Sequence, residues 1–194
     1  MTVPSQVDIQ KRKKNADQLR KKITEDGFLT EKELVRIVRK AIDSAWMTSA
    51  NKLVFLEDRV IPDMNDLTRT KWLIKCDHCG KLFKLGDIQI DHVVGEFQCK
   101  IPADFESYII NRLCVGFKDM QVLCKEDHLN KTYAERHGVS IEEATYQRIA
   151  ISLEKKKMDK EYIKSKGFEP IRNPQKRRQQ LVEILKEEKE KEDE

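Results

Sequence analysis

The sequence predicts an α+β protein in which a small core of short strands lies between α-helical segments. All five cysteines and three of the four histidines fall between positions 71 and 136, where short runs of alternating apolar residues predict strands. On both sides of this region, apolar residues recur at helical spacing. We therefore predict four segments: a basic polar arm or helix at 1–29, a helical extension at 30–70, the core at 71–138, and a C-terminal helical extension with an acidic tail at 139–194.

Composition and charge limit the class of protein. Charged residues make up 37% of the chain and hydrophobic residues 39%, which is enough for a core but not for a uniformly compact chain. The net charge is +4, but the last eight residues, EEKEKEDE, hold six acids and two bases, so the rest of the chain is more basic. A basic body is compatible with a nucleic-acid partner.

The sequence contains no apolar run near the roughly 20 residues that a membrane helix needs. Its first residues also lack the apolar stretch of a secretion signal. We therefore expect a cytoplasmic protein with no membrane partner. In that compartment, cysteines are more often thiols or metal ligands than disulfides.

A capping signal marks the start of the first clear helix. Thr30 and Glu33 form a capping box, and apolar residues recur at helical spacing from there to Ala45. The basic residues of this helix fall largely away from its apolar side: Lys32, Arg36, Arg39 and Lys40. A solvated helix face and a face that contacts phosphates explain this pattern equally well.

Two further signals define the C-terminal extension. Ser140 and Glu143 form a second capping box, which predicts one long helix that ends near Gly167. Asn173 followed by Pro174 predicts the start of a last, charged helix that fades into the acidic tail.

The core is predicted to alternate short strands with helices. The strand patterns are KWLIKC, IQIDHVV and MQVLC. The helical patterns are ADFESYIINRLC, before the last strand, and KEDHLNKTYAER, directly after it.

The first candidate metal site begins at CDHCG, residues 76–80. Cys76 and Cys79 have the C-x-x-C spacing with which two thiolates bind one zinc ion from a tight turn, and Gly80 allows the backbone to fold back. No helical pattern follows to lower a thiol pKa, so the motif favours structural zinc over redox chemistry.

The other zinc ligands must come from elsewhere in the core. Cys124 is the best third ligand, because it also ends a strand and enters a turn. The fourth ligand is then either Asp127 or His128. Cys99 and Cys114 are weaker candidates, and we expect them to be small buried hydrophobic residues.

A second candidate site centres on Asp91, His92 and His128. The Asp91 carboxylate is a hard oxygen ligand suited to Mg²⁺ or Mn²⁺, whereas His92 suits proton abstraction from water. Successive strand residues point to opposite faces, so both can serve one site only at a strand end or bulge. Alternatively, His92 is a hydrogen-bonded structural histidine and Asp91 caps a turn.

The order of these motifs resembles the HNH endonuclease family, especially its phage-encoded members with a zinc-stapled ββα-metal (His-Me finger) core. A C-x-x-C pair is followed by a strand with Asp-His, and then by D-x-Q-x-L-C-x-x-D-H-x-x-K. The resemblance covers about residues 72–136. A looser resemblance extends to AWMTSANK upstream and AERHGVSIEEA downstream.

The resemblance implies a role for each residue of the motif. His92 would be the general base that activates water, while Asp91 and His128 would bind one divalent cation, Mg²⁺ or Mn²⁺. Lys131 would contact phosphate, or else be a solvated surface lysine. The structural zinc ligands would then be Cys76, Cys79, Cys124 and Asp127.

The sequence departs from the family pattern at two positions. Asp119 stands where the family usually has asparagine, and a carboxylate can only accept hydrogen bonds unless it is protonated. Asp119 could orient His92 or join the metal ligands. Asp127 stands in place of a cysteine, and zinc also accepts carboxylate oxygen.

Together these features predict a metal-dependent DNA endonuclease that acts on double-stranded DNA through phosphate contacts. The helix at 30–45 and the lysines near 155–166 are the candidate contacts. Alternatively, the chain is a non-catalytic, zinc-stabilised DNA-binding or phage packaging accessory protein, with packaging or replication proteins as partners. A third alternative is a helical scaffold for protein interactions.

Overall fold

The computed structural model describes residues 5–64, 69, 71–95 and 97–193. These residues form a mixed α+β structure, as the sequence predicts, with long helices and small sheets. The chain folds into two compact units, each built from two stretches. Unit 1 combines the chain up to Ile61 with His92–Gln121, and unit 2 combines Pro62–Asp91 with the chain from Val122 onward. No helix in the described ranges is long and apolar enough to cross a membrane.

Unit 1 is mainly helical, and its second helix begins where the sequence predicts. Its helices are α1 (Gln6–Arg20), α2 (Glu31–Met47), α3 (Ala50–Glu57) and α4 (Phe105–Leu113). The Thr30 hydroxyl accepts a hydrogen bond from the Glu33 N–H at 3.3 Å, which confirms the predicted start of α2. The predicted capping box is incomplete, because the Glu33 carboxylate binds the Arg36 guanidinium and the Thr30 N–H donates to the Lys22 carbonyl at 3.0 Å. The box predicted at Ser140 and Glu143 is incomplete too, since the Glu143 carboxylate accepts from the Gln147 amide instead.

The core of unit 1 lies where α2 packs against α4. Val35, Cys99 and Tyr108 are buried there among partly buried aromatic and aliphatic side chains. Cys99 is therefore the small buried residue that the sequence predicts. The same prediction for Cys114 is wrong, because Cys114 follows the last turn of α4 and is exposed.

The strands form two small sheets. β1 (Val60–Pro62), β2 (Trp72–Lys75) and β3 (Leu82–Lys84) form a sheet in the order β1-β2-β3, and β2 pairs antiparallel with β3. β1 and β3 were not predicted. β4 (Ile88–His92) pairs with β5 (Met120–Cys124), and α5 (Lys125–His137) follows β5 directly, as predicted.

The C-terminal extension belongs to unit 2 and contains three helices. They are α6 (Ile141–Lys155), α7 (Asp159–Ser165) and α8 (Pro174–Asp193). Their buried contacts form one apolar cluster around Ala150, Ile163 and Leu181. This cluster gives the helices after α5 a hydrophobic core of their own.

The predicted single helix from Ser140 to Gly167 is wrong, because the chain breaks into α6 and α7. Lys157 adopts a left-handed conformation with φ 59°, and the Met158 N–H bonds to the Leu153 carbonyl at 2.9 Å. These are the features of a Schellman motif, which ends a helix. The break places Asp159 at the start of α7, where its carboxylate binds Arg177 Nε at 2.6 Å.

The start of α8 is confirmed, but the acidic tail differs from the prediction. The Asn173 side chain accepts hydrogen bonds from the N–H groups of Gln175 and Lys176, at 3.0 and 3.1 Å. The helix then continues to Asp193, so the acidic sequence is helical over that length. Alternating Glu and Lys residues are good helix formers, which explains why the pattern does not end earlier.

Candidate metal centre and candidate catalytic residues

The first candidate site begins with a tight turn between β2 and β3. The Gly80 N–H bonds to the Cys76 carbonyl at 3.0 Å, and the Cys76 N–H bonds to the Lys81 carbonyl at 2.9 Å. Gly80 has φ +71°, a conformation that other residues adopt only with strain. Glycine at this position therefore lets the turn carry its two cysteines back toward each other.

A second pair of hydrogen bonds ties this turn to the end of β5. The Asp77 N–H donates to the Val122 carbonyl at 2.8 Å, and the Val122 N–H donates to the Asp77 carboxylate at 2.7 Å. Cys124, two residues further along β5, is thereby brought to the turn that holds Cys76 and Cys79.

Four side chains of unit 2 converge at this place. The ligand atoms of Cys76, Cys79, Cys124 and Asp127 all lie within 4.8 Å of one another. Asp127 Oδ2 accepts hydrogen bonds from the thiols of Cys76 and Cys124, at 3.1 and 3.2 Å. Four such donors match the closed coordination of a structural metal site, so this cluster can hold a metal ion.

The cluster sits in an apolar setting that tunes its ionisation. Burial raises the pKa of the Cys124 thiol to about 12, and partial desolvation also raises the pKa of Cys79, although that residue is exposed. Burial acts to raise the pKa of the Asp127 carboxyl as well, but thiol hydrogen bonds outweigh it and the pKa is lowered. The aspartate is therefore the ready anionic ligand, and the thiols must lose protons when a metal binds.

The geometry separates Asp127 from His128. Asp127 belongs to the thiol cluster, where its Oδ1 also lies 3.4 Å from Nδ1 of His78. His128 instead directs Nε2 to within 3.9 Å of Asp91 Oδ1. No role was predicted for His78, although it lies between the two cysteines of the turn.

Asp91, His128 and Lys131 form a second polar group within unit 2. Lys131 is buried, with 6% of its surface exposed, and its ammonium lies 2.9 Å from Asp91 Oδ2 and binds Glu135. The alternative that Lys131 is a solvated surface lysine is therefore wrong. Two ligand atoms on one Mg²⁺ ion lie about 3 to 4 Å apart, so the spacing of Asp91 and His128 is compatible with a shared cation.

His92, the candidate base, is enclosed in unit 1. It is 1% exposed, and its ring centroid lies 4.3 Å from that of Trp46. Its Nε2 lies 3.1 Å from the Arg112 carbonyl oxygen, which can only accept, so Nε2 carries the proton. Nδ1 then holds the lone pair and accepts from Arg112 Nη1 at 3.2 Å.

Arg112 is itself held by a polar chain. Asp43 Oδ1 accepts from Arg112 Nε at 3.2 Å and from the Tyr108 hydroxyl at 3.0 Å. Burial and this hydrogen bond raise the pKa of Tyr108, which keeps its hydroxyl protonated as a donor. The sequence reasoning missed these partners of His92, because they come from helices distant in sequence and carry no spacing signal.

The hydrogen bonds of Asp119 go to backbone N–H groups. Its carboxylate accepts from the Gly116 N–H at 3.0 Å, and its carbonyl accepts from the Val93 N–H at 2.8 Å. The Gln121 amide also donates to the His92 carbonyl at 3.1 Å. Together these bonds brace the strand end that carries His92. His92 and Asp119 also line one cavity of about 340 Å³ within unit 1.

The four basic residues proposed from the α2 sequence are exposed on one groove of unit 1. This groove has a volume of about 990 Å³ and lies between α2, the turn after α1 and the segment around Cys99 and Lys100. We call it the basic groove. The basic α2 residues that line it are Lys32, Arg36, Arg39 and Lys40.

The described residues thus provide a thiol–carboxylate cluster, an aspartate–histidine pair, a buried histidine and a basic groove. Each lies within a single one of the two units. Comparisons of the chain with protein-family models, curated proteins and solved structures give no match.

Proposed function

We propose that this protein is a metal-dependent DNA endonuclease of the HNH type, which hydrolyses phosphodiester bonds. The observation that carries the proposal is the 3.9 Å approach of Asp91 Oδ1 to His128 Nε2. A carboxylate and an imidazole at this spacing are suitable ligands for one divalent cation. The next residue in the chain, His92, supplies a neutral imidazole as the candidate base.

The proposal assigns the ββα-metal core to β4, β5 and α5. Asp91 and His92 end β4, and His128 lies in the first turns of α5, directly after β5. We assign zinc to the cluster of Cys76, Cys79, Cys124 and Asp127, because thiolates with one carboxylate favour this metal over Mg²⁺. The zinc would staple the turn after β2 to the start of α5.

Asp91 and His128 would hold the second cation, Mg²⁺ or Mn²⁺. When bound, such a cation stabilises the charge that develops on the phosphate and on the leaving oxygen. Lys131 neutralises Asp91 through the 2.9 Å ion pair, so cation binding competes with this lysine. The competition makes Lys131 a candidate for adjusting metal affinity, in addition to its proposed contact with phosphate.

His92 would take a proton from the attacking water through Nδ1. The Arg112 carbonyl fixes the proton on Nε2, which leaves the lone pair on Nδ1. Arg112 Nη1 lies 3.2 Å from that lone pair, so the guanidinium must leave Nδ1 before water is deprotonated. Attack of the water oxygen on phosphorus would break the bond to the 3′ oxygen, which takes up a proton from solvent, giving 3′-hydroxyl and 5′-phosphate ends.

Supercoiled plasmid, incubated with zinc-loaded protein and Mg²⁺ or Mn²⁺, tests this proposal. We expect nicked or linear product from the wild type and a loss of at least about 100-fold in rate for His92→Ala, Asp91→Asn and His128→Ala. His137→Ala is the matched control, because His137 is the exposed histidine at the end of α5. A His92→Ala variant that cleaves at the wild-type rate would contradict the assigned base.

A second candidate is a non-catalytic, zinc-stabilised DNA-binding protein, such as a phage packaging accessory. Two observations favour it: His92 is 1% exposed with both ring nitrogens engaged, and Asp91 is paired with the buried Lys131. This candidate predicts DNA binding without cleavage under any divalent cation, and partners among packaging or replication proteins. Plasmid that stays supercoiled with folded, zinc-loaded wild type would favour it over the nuclease.

A further inference from the structure

We propose that the basic groove of unit 1 binds the sugar-phosphate backbone of duplex DNA. The choice of DNA as occupant rests on the proposed function, whereas the groove itself is a feature of the fold. The groove is formed within one compact unit, and its lining combines residues from three separate stretches of chain. Sequence reasoning identified only the stretch on α2.

The α2 residues form a continuous row of positive charge. Lys32, Arg36, Arg39 and Lys40 follow a spacing of four, three and one residues, which places them on one side of a helix. The row extends over nine residues, or about 12 Å at the rise of an α-helix. Phosphates of one DNA strand follow each other every 3.4 Å along the helix axis, so this row can reach several of them.

Two other stretches extend the row into a groove. Lys21 and Lys22 follow the last turn of α1, and Lys100 follows the buried Cys99. The segment that carries Lys100 is fixed, because the Lys100 N–H donates to the Asp104 carboxylate at 2.7 Å. The groove therefore presents basic side chains to a bound polyanion from more than one stretch of the chain.

The three acidic residues of the groove, Glu31, Glu33 and Asp43, offset only part of this charge. Glu33 is 9% exposed and binds Arg36 through two bonds, of 2.8 and 2.5 Å, and Asp43 is already bonded to Arg112 and Tyr108. An arginine held by one carboxylate keeps further N–H donors for a phosphate. Among the described residues, seven basic and three acidic residues line the groove, so its net charge is positive.

Fluorescence anisotropy with a labelled duplex of mixed sequence tests the proposal. The protein is the full chain loaded with zinc, with no Mg²⁺ or Mn²⁺ present, so binding is measured without cleavage. The groove variant is the triple substitution Lys32→Gln, Lys40→Gln and Lys100→Gln. The matched control is Lys11→Gln, Lys13→Gln and Lys14→Gln, which removes the same charge from exposed positions of α1 outside the groove.

We expect the groove variant to bind at least about tenfold more weakly than the wild type. Its plot of log affinity against log salt should lose about 2 to 3 in slope, since each phosphate contact contributes about 0.9. The control variant should keep the wild-type slope and lose less than about threefold in affinity. Thermal melting of both variants shows whether the substitutions leave the fold intact.

Equal losses for the two variants, or no loss for the groove variant, would overturn the proposal. Unlabelled DNA and polyglutamate are then compared as competitors. If polyglutamate displaces the labelled duplex at the same charge concentration as unlabelled DNA does, the proposal is overturned in favour of an acidic polypeptide as occupant. Plasmid cleavage is measured separately. If the wild type cleaves plasmid but the groove substitutions do not weaken DNA binding, only the proposed role of the groove is contradicted. If the groove substitutions weaken binding but the wild type does not cleave, the role of the groove is supported and the nuclease proposal is contradicted.

Discussion

Asp127 shows how one carboxylate can join a cluster of three thiols. Its carboxylate accepts hydrogen bonds from two thiols, and His78 lies 3.4 Å from its other oxygen. The sequence left the fourth ligand open between Asp127 and His128, since both follow Cys124 at plausible spacing. Only the geometry separates them, because the first turn of α5 directs the two side chains to different groups.

Asp127→Ala should weaken zinc binding by at least about tenfold, because it removes the ligand that is already ionised. His128→Ala should retain zinc at the wild-type level, since His128 faces Asp91 instead. Zinc content after gel filtration, followed by competition with a chromogenic chelator, measures both. Loss of zinc from His128→Ala alone would contradict the proposed division of ligands.

His92 marks the limit of sequence reasoning at the scale of residues. The motif places it correctly at the end of a strand, but its enclosure by Trp46 and Arg112 depends on helices formed elsewhere in the chain. Such contacts follow from tertiary packing. The sequence left open a hydrogen-bonded histidine, but a spacing pattern reports only what is near in sequence, so Arg112 could not be predicted as the partner of both ring nitrogens.

Among the elements, helix starts were more predictable than helix ends. Thr30, Ser140 and Asn173 each accept a backbone hydrogen bond at the first turn of a helix, as their residue types predict. The α6–α7 break was missed because Lys157, which lies at the left-handed position, gives no sequence signal there. Gly167 occupies the equivalent left-handed position after α7, and there a glycine does indicate the end of a helix.

Lys157→Gly should stabilise the protein by roughly 1 kcal/mol, because it relieves the left-handed strain of a residue with a side chain. Gly167→Ala is the matched reverse change and should destabilise by a similar amount. A Cβ at Gly167 would meet no atom within 4 Å, so that effect is purely conformational. Urea unfolding of both variants measures the two changes, and changes of the same sign would contradict the assignment of both helix ends.

At the scale of the whole molecule, the spacing of apolar residues predicted the mixed α+β class but not the division of the chain. Each unit joins two stretches that are far apart in sequence, and the boundary passes through β4 between Asp91 and His92. A sequence pattern divides a chain only into consecutive segments. The short strands β1 and β3 were missed for a related reason, because three residues are too few to show an alternating pattern.

Zinc should stabilise the whole protein against heat. A ligand present at about 100 times its dissociation constant contributes about 2.7 kcal/mol, which raises the Tm of a chain of 194 residues by roughly 5 to 10 °C. A strong chelator should reverse this gain. Calorimetry of the Cys76→Ser/Cys79→Ser variant should show no response to zinc.

Cys114→Ser is the control for this measurement, because Cys114 is exposed and lies outside the thiol cluster. It should respond to zinc as the wild type does. An unchanged response in the double variant would show that zinc acts elsewhere on the chain.

The sulfur of Cys124 has a consequence for the redox behaviour of the protein. It accepts a hydrogen bond from the Asp127 N–H and so caps α5, while it also belongs to the thiol cluster. Oxidation of this sulfur would remove a helix cap and a metal ligand in one step. Cys124 is buried, whereas Cys79 is the exposed member of the cluster, so oxidants reach the cluster at Cys79 first. The start of the helix that carries His128 thus depends on the redox state of a buried sulfur.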